Sequence, residues 1–233
     1  MKKSTYCLVL ADRVVDEVDR LAYRRGISRS ALINEILAES LSLTTPEKRN
    51  SGIFEEIAAL LYPGEIFREL APPTRSVMSM RSALTYKYNP TVRYTVELFR
   101  DPALLPGGEQ GVLRVSVRST SQALLAELHR FYRLWAGVER RFGFPADLSV
   151  EENTLCRPII PRPGSCDAAC IGSTDTGYTP PENRDHHGAS LAAFISLMDT
   201  CMKLCLREPE DGAALAGMTD LYADYVRANR EVV

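Results

Sequence analysis

The sequence predicts an α+β protein, and three observations carry the prediction. Residues 76–118 alternate apolar and polar side chains with a period of two, as half-buried strands do. Residues 121–142 set Leu124, Leu128, Phe131, Trp135, Val138 and Phe142 along one stripe of a long helix. Residues 1–43 read as a short strand, a helix, a glycine-containing turn and a second helix. The chain divides accordingly into a strand-helix-helix module (1–44), a linker with a short helix (45–74), and an α+β module (75–145). An irregular Pro/Gly-rich segment (146–187) and a C-terminal helical pair (188–233) follow.

In the first module, Tyr6, Leu8 and Leu10 alternate with Thr5, Cys7 and Val9, so the two sets face opposite sides of a strand. The first helix, Ala11 to Arg25, places Val14, Val18, Leu21 and Ala22 on one face, with Asp12 near its positive end. Gly26 after Arg24-Arg25 suits a left-handed residue closing a helix. Ser28 is then the expected N-cap of the second helix, Ala31 to Leu43, which carries Leu32, Ile33, Ile36, Leu37 and Leu41. So short a unit cannot bury this much apolar surface by itself. A second copy of the chain would supply the missing partner.

These residues resemble the ribbon-helix-helix family of DNA-binding proteins (the Arc, MetJ and CopG type). The resemblance covers about a fifth of the chain and is strongest in the turn Gly26-Ile27-Ser28-Arg29-Ser30. It implies a homodimer whose paired strands enter the major groove. Thr5, Cys7 and Val9 would face the bases, with Tyr6, Leu8 and Leu10 in the dimer core. Ser28, Arg29 and Ser30, at the start of the second helix, would meet a phosphate, with Lys2 and Lys3 adding phosphate contacts. The family usually places Arg, Lys, Gln or Asn at the base-facing positions. Thr5, Cys7 and Val9 depart from that pattern and imply a weaker or more apolar readout.

Behind this module, Thr44 to Gly52 reads as linker and Ile53 to Tyr62 as a short helix ended by Pro63-Gly64. Three strands are then expected to form an antiparallel meander. The first carries Met78, Met80, Leu84, Tyr86 and Tyr88, with Asn89-Pro90 as the turn. The second carries Val92, Tyr94, Val96 and Leu98, and the third Leu113, Val115 and Val117. The helix of Ser121 to Phe142 should cover the apolar face, although its roughly seven-residue repeat would also suit pairing with a second copy. The opposite face gathers Arg81, Lys87, Arg93, Arg114 and Arg118. It reads either as a solvated face or as a surface for an anion or DNA backbone. Gly188 to Leu206 and Ala213 to Asn229 are the last two helices.

The formal net charge of -2 hides an uneven distribution. Residues 75–144 carry 11 Lys and Arg against 5 Asp and Glu, whereas residues 145–233 carry 7 against 14. Such segregation points to modules with different partners. No apolar run approaches the roughly 18 residues of a membrane span, and no leader segment is evident. The 6 cysteines are therefore expected to be reduced thiols in the cytoplasm.

Cys166 and Cys170, like Cys201 and Cys205, stand four positions apart, a weaker spacing for zinc than Cys-x-x-Cys. Ordinary buried cysteine is the competing reading. No nucleophile elbow, phosphate-binding glycine loop or His-Glu-x-x-His motif occurs, so neither an enzyme nor a cofactor is expected. The function expected is a dimeric transcriptional regulator, such as a repressor, that binds double-stranded DNA. Its C-terminal region would oligomerise on DNA or sense a small-molecule or protein effector. Two alternatives remain open. One is a plasmid-partition or conjugation adaptor recruiting another protein through that region. The other is a metal- or thiol-sensing protein whose N-terminus only dimerises.

Overall fold

The computed structural model describes residues 7–41, 43, 45–100, 109–144, 148–151, 153–160 and 187–228. Among them are six helices and six strands. In chain order these are α1 (Asp12–Arg25), α2 (Arg29–Ser40), α3 (Pro46–Leu61), β1 (Phe67–Ala71), β2 (Val77–Ala83), β3 (Thr91–Leu98), β4 (Gly111–Val117), α4 (Gln122–Arg141), β5 (Ser149–Glu151), β6 (Thr154–Ile159), α5 (His187–Arg207) and α6 (Asp211–Ala228). The class is α+β.

The strands form one antiparallel sheet in the order β1-β2-β3-β4-β6-β5. The expected sheet of three strands is thus corrected to six. The unforeseen strands are short and lie at the sheet's two sides. β1 follows the Pro63-Gly64 break. β5 and β6 fall within the segment read as irregular, where scattered Pro and Gly obscure the alternation of Leu155, Arg157 and Ile159. The first expected strand also ends early, at Ala83, because Tyr88 and Asn89 take left-handed φ angles of 68° and 45° in the turn before Pro90. That turn closes with the Tyr86 carbonyl accepting from the Asn89 amide at 2.9 Å.

One sheet face is buried. Met78, Met80, Val92, Tyr94, Val96, Leu113, Val115, Leu155 and Ile159 meet helices α3, α4, α5 and α6 in a single core. The α4 stripe lies in this core as the spacing predicts, with Leu124, Leu128, Phe131, Trp135 and Val138 buried, and Ser121 caps it by accepting from the Leu124 amide. Trp135 stands edge-on to Phe194 of α5 and Tyr222 of α6, at centroid distances of 5.7 and 5.5 Å. Arg130 of α4 ties the α5–α6 junction together. Its guanidinium donates to the carbonyls of Cys205, Glu208 and Pro209 and to the Asp211 carboxylate.

The expected linker Thr44–Gly52 is largely helix. Thr45 caps α3 by accepting from the Lys48 amide at 3.2 Å, and Pro46 follows in the first turn. Thr-Pro-Glu is a helix start on its own chemistry, and the polar run to Gly52 masks it. Among the described helices α5 is long and apolar enough to cross a membrane by length and composition alone, a test that a buried core helix also passes. Its apolarity has another use in this fold, since residues from Leu191 to Cys205 fill the core.

Helices α1 and α2 have a separate small core of Val18, Ala22 and Leu32, with Leu21, Ile27 and Ile33 against it.

Candidate nucleic-acid interface

The α1–α2 corner is built by local chemistry. Gly26 adopts φ 62°, ψ 31°, and its amide reaches the carbonyls of Ala22 and Tyr23. A left-handed residue ends α1 there, at little cost only to glycine. Ser28 then accepts from the Ala31 amide at 3.2 Å and caps α2. Ser28 and Ser30 hydroxyls lie 3.3 Å apart on the exposed rim of the same turn.

Arg29, expected to meet a phosphate, is engaged within the chain. Its guanidinium makes a bidentate ion pair with Asp19 of α1. The hydrogen bond to Asp19 holds this guanidinium more firmly protonated than usual. A phosphate would have to share Arg29 with that carboxylate or displace it. Asp19 is a site residue that sequence reasoning misses. Only the packing of α1 on α2 brings it to a residue ten positions away.

Lys2, Lys3 and Thr5 lie outside the described residues. Cys7 and Val9 are exposed, and residues 7–10 belong to no strand within this single chain. Around the corner, Leu8, Leu10, Val14, Ile36, Leu37 and Leu41 remain exposed.

The second cluster of predicted residues lies on the open face of the sheet. Arg81 and Arg93 are directly opposite each other on β2 and β3. Arg68 of β1 continues the row opposite Arg81. Sequence reasoning misses it along with its strand, although Phe67-Arg68-Glu69-Leu70 after a Pro-Gly break is a modest strand signal. Arg114 lies one row away and is ion-paired with Glu97, whose hydrogen bond raises its pKa further. Lys87 is in the β2–β3 turn, with its ammonium 5.2 Å from the Tyr88 ring centroid. Arg118 is exposed just beyond β4.

The cysteine candidates separate. Cys166 and Cys170 lie outside the described residues. Cys201 and Cys205 are fully buried in α5. Burial pushes the Cys201 thiol up to about 12 and raises that of Cys205 as well, so both sit in the core as neutral thiols. Among the described residues no group of three His, Cys, Asp or Glu side chains could hold a metal ion.

Two polar assemblies are buried in the core. Tyr94 donates to Asp199 at 3.0 Å, and Lys203 bridges Asp199 at 2.6 Å and Ser82 at 2.8 Å. Burial, then the Asp199 carboxylate, raises the Tyr94 pKa well above its ordinary value. Separately, Arg157 of β6 donates to Glu139 of α4 at 2.7 Å and lies 4.3 Å from the Phe194 ring centroid. Both sets link helices to the sheet from within. Comparison of the chain with family models, with curated proteins and with solved structures finds no match.

Proposed function

We propose that this protein is a dimeric DNA-binding regulator that reads DNA through its N-terminal module. The observation that carries the proposal is the α1–α2 corner together with the apolar surface left around it. A left-handed glycine and a serine cap fix the corner. Among the described residues its internal core has three buried side chains, while Leu8, Leu10, Val14, Ile36, Leu37 and Leu41 stay exposed. Burying a side chain of this kind completely stabilises by roughly 1.5–3 kcal/mol. A second copy offering the same residues would cover them, with Leu8 and Leu10 on strands that pair between chains. An inter-chain ribbon has no partner within one chain, which fits residues 7–10 standing outside the sheet. Thr5, Cys7 and Val9 would then face the major groove, and Ser28, Ser30 and the start of α2 a phosphate.

The test is the double variant Ile36→Glu/Leu37→Glu in the full chain. Wild type is expected to sediment as a dimer and to enrich a two-fold symmetric sequence from a random duplex library. The variant is expected to sediment as a monomer and to lose at least about 100-fold in affinity for the enriched site, equivalent to roughly 2.7 kcal/mol. A monomeric wild type, or a library with no enriched sequence, would falsify the proposal.

A further inference from the structure

The row of arginines on the open sheet face poses an energetic question. Arg68, Arg81 and Arg93 are directly opposite one another on three adjacent antiparallel strands, and all three are exposed. Such neighbours have Cβ atoms about 4.5–5.5 Å apart, and like charges in these positions destabilise a sheet. Among the described residues none of the three has an ion-pair partner, whereas Arg114 in the adjoining row is held by Glu97. Beyond Arg93 the row continues into two hydroxyls, Ser116 and Thr154, and ends on the carboxylate of Glu151 at the far edge, three strands away from Arg93. Arg118, just past β4, and Lys87, at the β2–β3 turn, add cations at this end of the face.

We infer that this row is a second DNA-binding surface, which holds the phosphates of a duplex without reading its sequence. Guanidinium forks match phosphate oxygens in pairs, and an anion above the row converts mutual repulsion into attraction. The row crosses three strands of an open sheet, which fits an extended polyanion better than a single small anion in a pocket. Among the described residues no aromatic side chain stands in the rows of the open face, and the exposed Tyr88 lies in the β2–β3 turn beside Lys87, so a single-strand stacking platform across the rows is not provided for. The inference rests on the DNA-binding reading above and adds to it a sequence-independent contact on the same polymer.

The experiment uses the full chain, a random-sequence duplex and the enriched duplex, with affinity measured from about 50 to about 200 mM salt. Each phosphate that the protein ceases to neutralise lowers the slope of log affinity against log salt by about 0.9. Arg68→Ser/Arg81→Ser/Arg93→Ser should therefore lower the slope by between 2 and 3, roughly, on both duplexes, and keep the sequence preference. The corresponding triple lysine variant, which keeps the charge, should stay near wild type. Thermal melting of the serine variant should be no lower than wild type, since repulsion has been removed.

An unchanged slope in the serine variant overturns the inference and leaves the N-terminal reading standing. An equal loss in the lysine variant also overturns it. A wild type that binds both duplexes alike, with the serine variant losing slope, supports the row and ends the N-terminal reading. Absence of any duplex binding ends both.

Discussion

At the scale of single residues, burial decides what the ionisable groups can do. Glu139 is 1% exposed and is paired with Arg157. Its pKa is nevertheless raised, because loss of solvent outweighs the attraction of Arg157. A group whose folded pKa is raised contributes stability below its unfolded pKa and loses it as pH rises through the folded value. Here the loss begins above about 4.5. Glu139→Gln removes that dependence, so the variant's stability relative to wild type should increase as pH is raised from that point. Urea unfolding across a pH series measures it, and a parallel course for the two proteins would contradict the assignment. Arg157→Ala at neutral pH leaves the buried carboxylate without its cation and should cost about 3–5 kcal/mol.

At the scale of elements, close backbone approach sets how α3 lies on α5. A Cβ on Gly188 would stand 2.5 Å from Glu56 Oε2, 2.6 Å from Glu56 Cβ and 2.8 Å from the Ile53 carbonyl oxygen. The Glu56 carboxylate can swing aside, whereas the Ile53 backbone must move with its helix. Gly188→Ala is expected to destabilise by about 1–3 kcal/mol, the usual range for overpacking. Gly137, in the middle of α4, has nothing within 4 Å of a Cβ. Gly137→Ala should instead stabilise, by up to about 1 kcal/mol of helix propensity. Denaturant midpoints of the two variants should move in opposite directions, and a shared direction would refute this account of the α3–α5 contact. On β4, Gly111 meets the Glu97 carbonyl oxygen at 2.2 Å from its Cβ position, a register point where the β3 backbone leaves no room for a side chain.

At the scale of the whole molecule, the described residues form two cores of very different size. The larger one joins α3 to α6 with the sheet; the smaller one holds Val18, Ala22 and Leu32. If the small core is completed by a second copy, its stability depends on protein concentration, whereas that of the large core does not. Calorimetry should then show two transitions. The lower is expected to rise in temperature with concentration and to vanish in Ile36→Glu/Leu37→Glu, while the upper stays fixed. One concentration-independent transition would argue against an N-terminal module completed by association.

Local structure was legible in the order of residues alone. Gly26, Ser28 and Ser121 fix helix ends through contacts with residues a few positions away. The α4 stripe and the alternation from Met78 to Val117 carry their burial pattern in their spacing. Outcomes that depend on distant partners emerged from the folded arrangement. Arg68 joins Arg81 and Arg93 because β1 pairs with β2. Arg29 meets Asp19 because α1 folds back on α2. Asp199 meets Tyr94 from 105 positions away, and β6 enters the sheet through its pairing with β4 despite a Pro-rich setting. Caps and periodicities follow from short-range geometry that every window of sequence contains. Strand order and the partners of buried charges follow from which faces the closed fold brings together.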